Sequence, residues 1–265
     1  MQKTLERSGS SWLPSRREML GALGVGLLAP RIARAATFAL VTASAIIIDN
    51  SGSGWVTSNS IDTTGADLLV GIAMTGPSDT HIAADTKGNL AQWATVVQQT
   101  NSGSTVFLYA CAPTSVGAGH TISFNGGGPA YGAFYFAAFS GAKQTTPLDG
   151  SSGAIQTTGS TVSPGAVIPS LSNELLVSVY GGGWGARAPV SVDSEFSLVA
   201  ANNTGSGQQC AWGYVVQLAA ASINPTWTAP DSGTAKISLL AAFKSTSSSG
   251  GAAPPVRRCV ITGGE

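Results

Sequence analysis

The chain has 265 residues, of which only 10% are charged and 34 are glycine, and its thirteen Lys/Arg balance thirteen Asp/Glu. So few Glu, Lys and Arg leave long amphipathic helices without solvent faces, and the absence of a basic stripe argues against nucleic acid and anionic membrane surfaces as partners. A hydrophobic content of 43% is enough for a substantial core, which excludes disorder for the body of the chain.

The chain opens with a leader. Arg16 and Arg17 follow Ser15 and precede Glu18, Met19 and Leu20, a pattern that resembles the twin-arginine export signal. The apolar run from Met19 to Ala29 is too short for a stable membrane span, and Ala33-Arg34-Ala35 is a small-x-small site with cleavage expected after Ala35. Such a leader implies an exported protein, periplasmic or extracellular, with the export machinery as a partner and no membrane span after cleavage. Residues 1–35 carry Lys3, Arg7, Arg16, Arg17, Arg31 and Arg34 against Glu6 and Glu18, so the remainder is mildly acidic.

From residue 36 the sequence predicts strands over Phe38–Ile48, Leu68–Met74, Trp93–Gln98, Thr105–Cys111, His120–Phe124 and Tyr131–Phe139. Further strands are expected over Glu174–Tyr180, Val190–Val192, Gln209–Gln217, Pro225–Thr228 and Ala235–Phe243. Between them lie the turn residues that strands require, such as Lys87-Gly88-Asn89 and Asn101-Ser102-Gly103. Regular spacing of this kind predicts an all-β, antiparallel sandwich. Residues 245–265 begin with a Ser/Gly/Pro linker and end in a short tail with Cys259.

The body repeats itself. Asp67-Leu68-Leu69-Val70 opens a unit that closes with Ala137-Ala138-Phe139-Ser140, and Glu174-Leu175-Leu176-Val177 opens a second that closes with Ala241-Ala242-Phe243-Lys244. Halves of this size are too small to bury both faces of a sheet, so they are expected to pair face to face in one domain over residues 36–244. The stretches "DTTGADLLVGIAM", "VFLYACAPTSVGAGHTISF" and "NELLVSVYG" resemble a loosely defined β-sandwich family of bacterial exported and phage tail-associated proteins. The resemblance implies a jelly-roll or concanavalin-like fold and, by analogy, surface adhesion or glycan contact; it brings no catalytic residues.

Chemistry is sparse. No G-x-S-x-G elbow accompanies the two histidines, His81 and His120. His120 begins a strand whose counterpart position is near Ile223, which favours packing over catalysis. The segment from Asp79 through His81 to Asp85 lacks the tight ligand spacing of a metal site, and Asp85, matched by Asp193, reads as a turn-fixing residue. Asp193 and Glu195, at i and i+2, are the pair that a carbohydrate-active enzyme could use, against the plainer reading of a solvated pair. Tyr180, Trp184 and Arg187 bracket a Gly-rich loop and offer aromatic and guanidinium surfaces for a sugar ring, or a lid on the sandwich end. Cys111 and Cys210 read as small core residues. The expected function is a non-catalytic binding or adhesion module for carbohydrate or a cell-surface partner, with no cofactor and no metal. The alternatives are a concanavalin-like polysaccharide-active enzyme using Asp193 and Glu195, or a structural envelope or virion-like component.

Overall fold

The computed structural model describes residues 38–49, 55–76, 81–125, 132–182, 190–202, 209–229 and 235–246. Among these residues there is no α-helix, only strands and one short 3₁₀ turn, Leu90–Gln92. The first half contains β1 (Ala39–Ala43), β2 (Ile47–Asp49), β3 (Trp55–Thr57), β4 (Leu68–Thr75), β5 (His81–Asp85), β6 (Ala94–Thr100), β7 (Thr105–Cys111), β8 (Ile122–Asn125) and β9 (Gly132–Ser140). The second contains β10 (Leu148–Gln156), β11 (Thr161–Val162), β12 (Glu174–Gly182), β13 (Ser191–Val192), β14 (Ser197–Ala201), β15 (Gln209–Gln217), β16 (Trp227–Thr228) and β17 (Lys236–Phe243).

The repeat is a repeat of topology. The large sheet of the first half runs β1-β9-β4-β7-β6 and that of the second runs β10-β17-β12-β15-β14, while the small sheets run β3-β8-β5 and β11-β16-β13. Setting aside β2, which pairs with β9, each strand has a counterpart at the same place in chain order, and all pairings are antiparallel. Each half is a jelly-roll-like winding over two sheets, and the equivalence begins at β1 and β10, earlier than Asp67 and Glu174.

Packing explains why the strands read as continuous apolar runs. On β4, Leu68, Val70, Ile72 and Met74 face the second half, and on β12 Leu175, Val177 and Val179 face the first; together with Leu108, Tyr135, Phe139, Trp212 and Phe243 they form the central core. The alternate residues face outward under the small sheets: Leu69, Ala73, Phe107 and Phe136 meet Ile82, Ile122 and Phe124, while Tyr180 and Ala211 meet Trp227. The sandwich therefore has four layers, with two large sheets face to face and a small sheet over the outside of each. With both faces covered, the usual alternation of apolar and polar residues disappears.

Two features lock the halves together. The Tyr135 hydroxyl donates to the Cys210 carbonyl at 3.0 Å, and Gly181 lies so close to Val106 and Met74 that a Cβ there would collide with both. The four edge strands of the large sheets, β1, β6, β10 and β14, each carry a register shift against their neighbour. Bulges of this kind twist an edge away from further pairing.

Candidate functional site

In the first half the end of β5 is filled by the chain itself. Asp85 Oδ1 accepts the Lys87 N–H at 2.8 Å and faces His120 Nε2 at 3.0 Å, and Asp85 Oδ2 accepts the Trp93 indole N–H at 2.8 Å. His120 Nδ1 lies 2.9 Å from Thr63 Oγ1, which also accepts the Gly117 N–H. The side chain of Asn89 reaches in from the 86–92 loop: its Nδ2 donates to the Ser115 carbonyl at 2.8 Å and lies 3.4 Å from both Asp85 oxygens. Its Oδ1 accepts the Thr114 and Ser115 N–H groups. Thr63, Asn89 and His120 are fully buried, and His120 stands edge-on to Phe136. Burial alone would raise the Asp85 pKa; hydrogen bonds from His120, Trp93 and the Lys87 amide more than reverse this and hold it well below the usual carboxylate range. Thr63, His120 and Asp85 follow the order of a nucleophile, base and acid. The hydroxyl is sealed inside and bound to backbone, so the arrangement is a polar pin joining β5, β8 and the loop at Gly117.

The second half keeps the frame and loses the filling. The isolated bridge Ile61↔His120 has its counterpart in Val167↔Ile223, and Phe124 at the centre of β8 corresponds to Trp227 in β16. Asp193 opens a turn after β13 as Asp85 opens one at the end of β5, though in strand register it lies where the first half has Ala84; Ile223 takes the place of His120, and Phe196, just before β14, that of Trp93, just before β6. The connection from Asp85 to Trp93 crosses seven residues, and that from Asp193 to Phe196 crosses two. At this position a pocket of about 420 Å³ opens, lined by Asp193, Ser194, Glu195, Ser222, Asn224 and Pro225, with Phe196 and Ile223 beneath. Phe196 N–H closes a turn on the Asp193 carbonyl at 3.0 Å, and Asp193 Oδ2 accepts the Thr226 N–H at 2.7 Å. Asp193 and Glu195 are exposed and share this pocket, though on a turn after β13 and not on a strand face.

The aromatic loop fares differently. Tyr180 is not displayed: it lies inside β12, is 1% exposed, packs on Trp227 at 5.9 Å between ring centroids, and directs its hydroxyl toward Gln209. Its expected role as a ligand-stacking residue is corrected on this point, because the small sheet covers the face on which it lies. Trp184 and Arg187 fall outside the described residues, as do Arg16, Arg17, Ala35, Asp79 and Cys259. His81 is exposed on β5 opposite Asn125. Cys111 and Cys210 are buried free thiols; burial pushes the Cys111 thiol up to about 12, and that of Cys210 higher.

One cluster escaped the sequence reading altogether. Glu174, at the start of β12, is fully buried; its Oε1 accepts the Leu171 N–H at 3.1 Å, and its Oε2 has no hydrogen-bond partner among the described residues. Beside it Asp149 pairs with Lys244 at 2.9 Å and accepts from the Ser170 amide and hydroxyl. Burial and the neighbouring Asp149 charge push Glu174 up to about 7, while the bonds from Lys244 and Ser170 outweigh desolvation and bring Asp149 down to about 2. The signal available in sequence was the pairing of Glu174 with Asp67, which caps Gly141 N–H at 2.8 Å from the same place in the first half.

Among the described residues no group of three or more His, Cys, Asp and Glu is placed to hold a metal ion. Compared with protein-family models, with curated proteins and with solved structures, the chain finds no match in any of the three.

Proposed function

We propose that the chain is an exported, non-catalytic binding or adhesion module that holds carbohydrate on a cell surface or in its surroundings through the Asp193 pocket. The observation that carries this reading is the pocket's make-up. Carboxylates, hydroxyls and a carboxamide surround an apolar base of Phe196 and Ile223, which suits a sugar, whose hydroxyl rim needs acceptors and donors and whose C–H face needs an apolar neighbour. The other acidic groups with strong internal partners, Asp85 and Asp149, are engaged within the fold. The export part of the reading rests on the leader around Arg16 and Arg17.

The test is binding of the purified chain to a panel of glycans and bacterial polysaccharides, with Asp193→Ala and Trp184→Ala in parallel. Saturable binding lost in Asp193→Ala supports the pocket, loss confined to Trp184→Ala moves the site to the 183–189 loop, and no binding in any form removes the reading. Because Asp193 and Glu195 share the pocket, the same panel is assayed for new reducing ends. Turnover abolished by Glu195→Gln would establish the polysaccharide-active enzyme in place of the binding module.

A further inference from the structure

We infer that Lys244 and Asp149 condense into an isopeptide bond that welds the first strand of the second half to its last, with the Glu174 carboxyl carrying the protons. Strand register shows that the reacting groups are an addition to the fold. Leu148↔Phe243 and Gly150↔Ala242 in the second half match Leu40↔Phe139 and Thr42↔Ala138 in the first, so Asp149 occupies the bulge of β10 where β1 has Val41. By the same register Lys244 takes the place of Ser140 and Glu174 that of Asp67. The first half builds this corner from an aliphatic side chain, a hydroxyl and a single acid, so the fold itself does not call for a lysine and two carboxyls.

The three groups are held for reaction. Lys244 Nζ lies 2.9 Å from Asp149 Oδ1, and backbone bonds to Pro147 and Lys143 fix Lys244 in place. The two side chains are only 24% and 7% exposed. Glu174 is fully buried and adjoins Asp149, its Oε2 unpartnered among the described residues, and both burial and the Asp149 charge favour its neutral form. It therefore has a proton to give and no competing acceptor. The Ser170 amide donates to Asp149 Oδ2 and the Ser170 hydroxyl to Oδ1.

In the reaction the Lys244 ammonium passes one proton to the Asp149 carboxylate, and the resulting amine attacks Cγ. The Ser170 N–H holds the negative charge that develops on Oδ2. Glu174 protonates the departing Oδ1 and recovers a proton from the nitrogen, so it ends as it began. A C–N bond forms, the Cγ–Oδ1 bond breaks, and one water leaves with two of the three ammonium hydrogens. The ion pair is the resting form, and the neutral pair that reacts is a minor one. Holding the groups in contact supplies the rate, and a single turnover per molecule is enough.

The test is intact-mass spectrometry of the full chain as expressed, with its N terminus read by peptide mapping. The expected mass is lower than that of the sequence from that terminus by one water, and fragmentation joins Asp149 to Lys244 in one branched peptide. Lys244→Arg keeps the ion pair but has no nucleophilic amine, so it should show the full mass. In Glu174→Gln, followed over time from cell-free synthesis, linking should slow by at least about 100-fold, the scale of general acid–base catalysis. Thermal melts confirm that the variants fold, and the bond itself is decided by the native chain and Lys244→Arg, which leave Glu174 untouched. Full mass in the native chain overturns the inference. Loss of water that persists in Lys244→Arg also overturns it, because the missing water then comes from elsewhere. Linking at the native rate in folded Glu174→Gln overturns the role given to Glu174.

Discussion

Replacing Glu174 by glutamine tests the electrostatics of the junction directly. Glu174 is fully buried with one oxygen unpartnered among the described residues, and its pKa is raised from 4.5 to about 7. A carboxyl whose folded-state pKa is raised favours folding in its protonated form. Below pH 4.5 it is protonated in both states and costs nothing; between pH 4.5 and 7 the unfolded chain ionises first and stability falls; above pH 7 the loss is complete and constant. At 1.36 kcal/mol per pH unit the full loss is about 3 kcal/mol. The carboxamide introduced by Glu174→Gln would keep a donor beside Asp149 and does not titrate. Urea unfolding at pH 4.5 and pH 8 should therefore show the native chain losing about 3 kcal/mol more than Glu174→Gln over that interval. Asp149 and Asp85 titrate below the window and do not contribute to the difference. Parallel pH profiles for the two proteins would refute the assignment of a buried, proton-holding Glu174.

Asp85→Asn should lower stability at pH 7 by about 2 kcal/mol, the scale of a buried hydrogen bond to a charged group, measured by urea unfolding. Its sign is opposite to that of Glu174. The native chain keeps the Asp85 contribution above pH 3.8 and loses it as pH falls toward the depressed folded-state pKa, so the gap between the two proteins should narrow in acid. In a Cys259→Ser background, Cys111 and Cys210 should stay unreactive toward a thiol reagent at pH 8 and react fully in guanidinium; native-state labelling would contradict their burial.

The strands that sequence made plain are those at the centre of the large sheets. Leu68–Thr75, Thr105–Cys111, Glu174–Gly182 and Gln209–Gln217 are long and apolar because two layers cover them. Edge strands were harder. β10 reads "LDGSSGAIQ", in which Gly150, Ser152 and Gly153 are half-buried and Ser151 is exposed, and β5 reads as a possible ligand segment because His81 and Asp85 dominate "HIAAD". The expected single strand from Phe38 is broken at Ser44, which exchanges two hydrogen bonds with the Phe136 backbone. The i, i+2 spacing of Asp193 and Glu195 suggested a shared strand face, whereas the two lie on the turn that follows β13. Tyr180 was misplaced because parity along β12 assigns it a face, while only the tertiary structure shows that the face is covered. The partnership of Asp85 with His120 joins residues 35 apart through bulged strands, and nothing local encodes it.

The doubly covered central sheets also set a schedule for synthesis. The first half completes its last strand at Ser140, yet the face bearing Val70, Ile72, Leu108 and Tyr135 meets its partner only when Phe243 has been made. At typical translation rates of about 5–20 residues per second, that face waits for roughly 5 to 20 s. Once the second half is formed, the short connection between Ser140 and Leu148 presents it at an effective concentration on the order of millimolar, so closure is unimolecular and outcompetes encounter with other chains. During the wait the bulged edges β1 and β6 are what keep two nascent first halves from adding strand to strand.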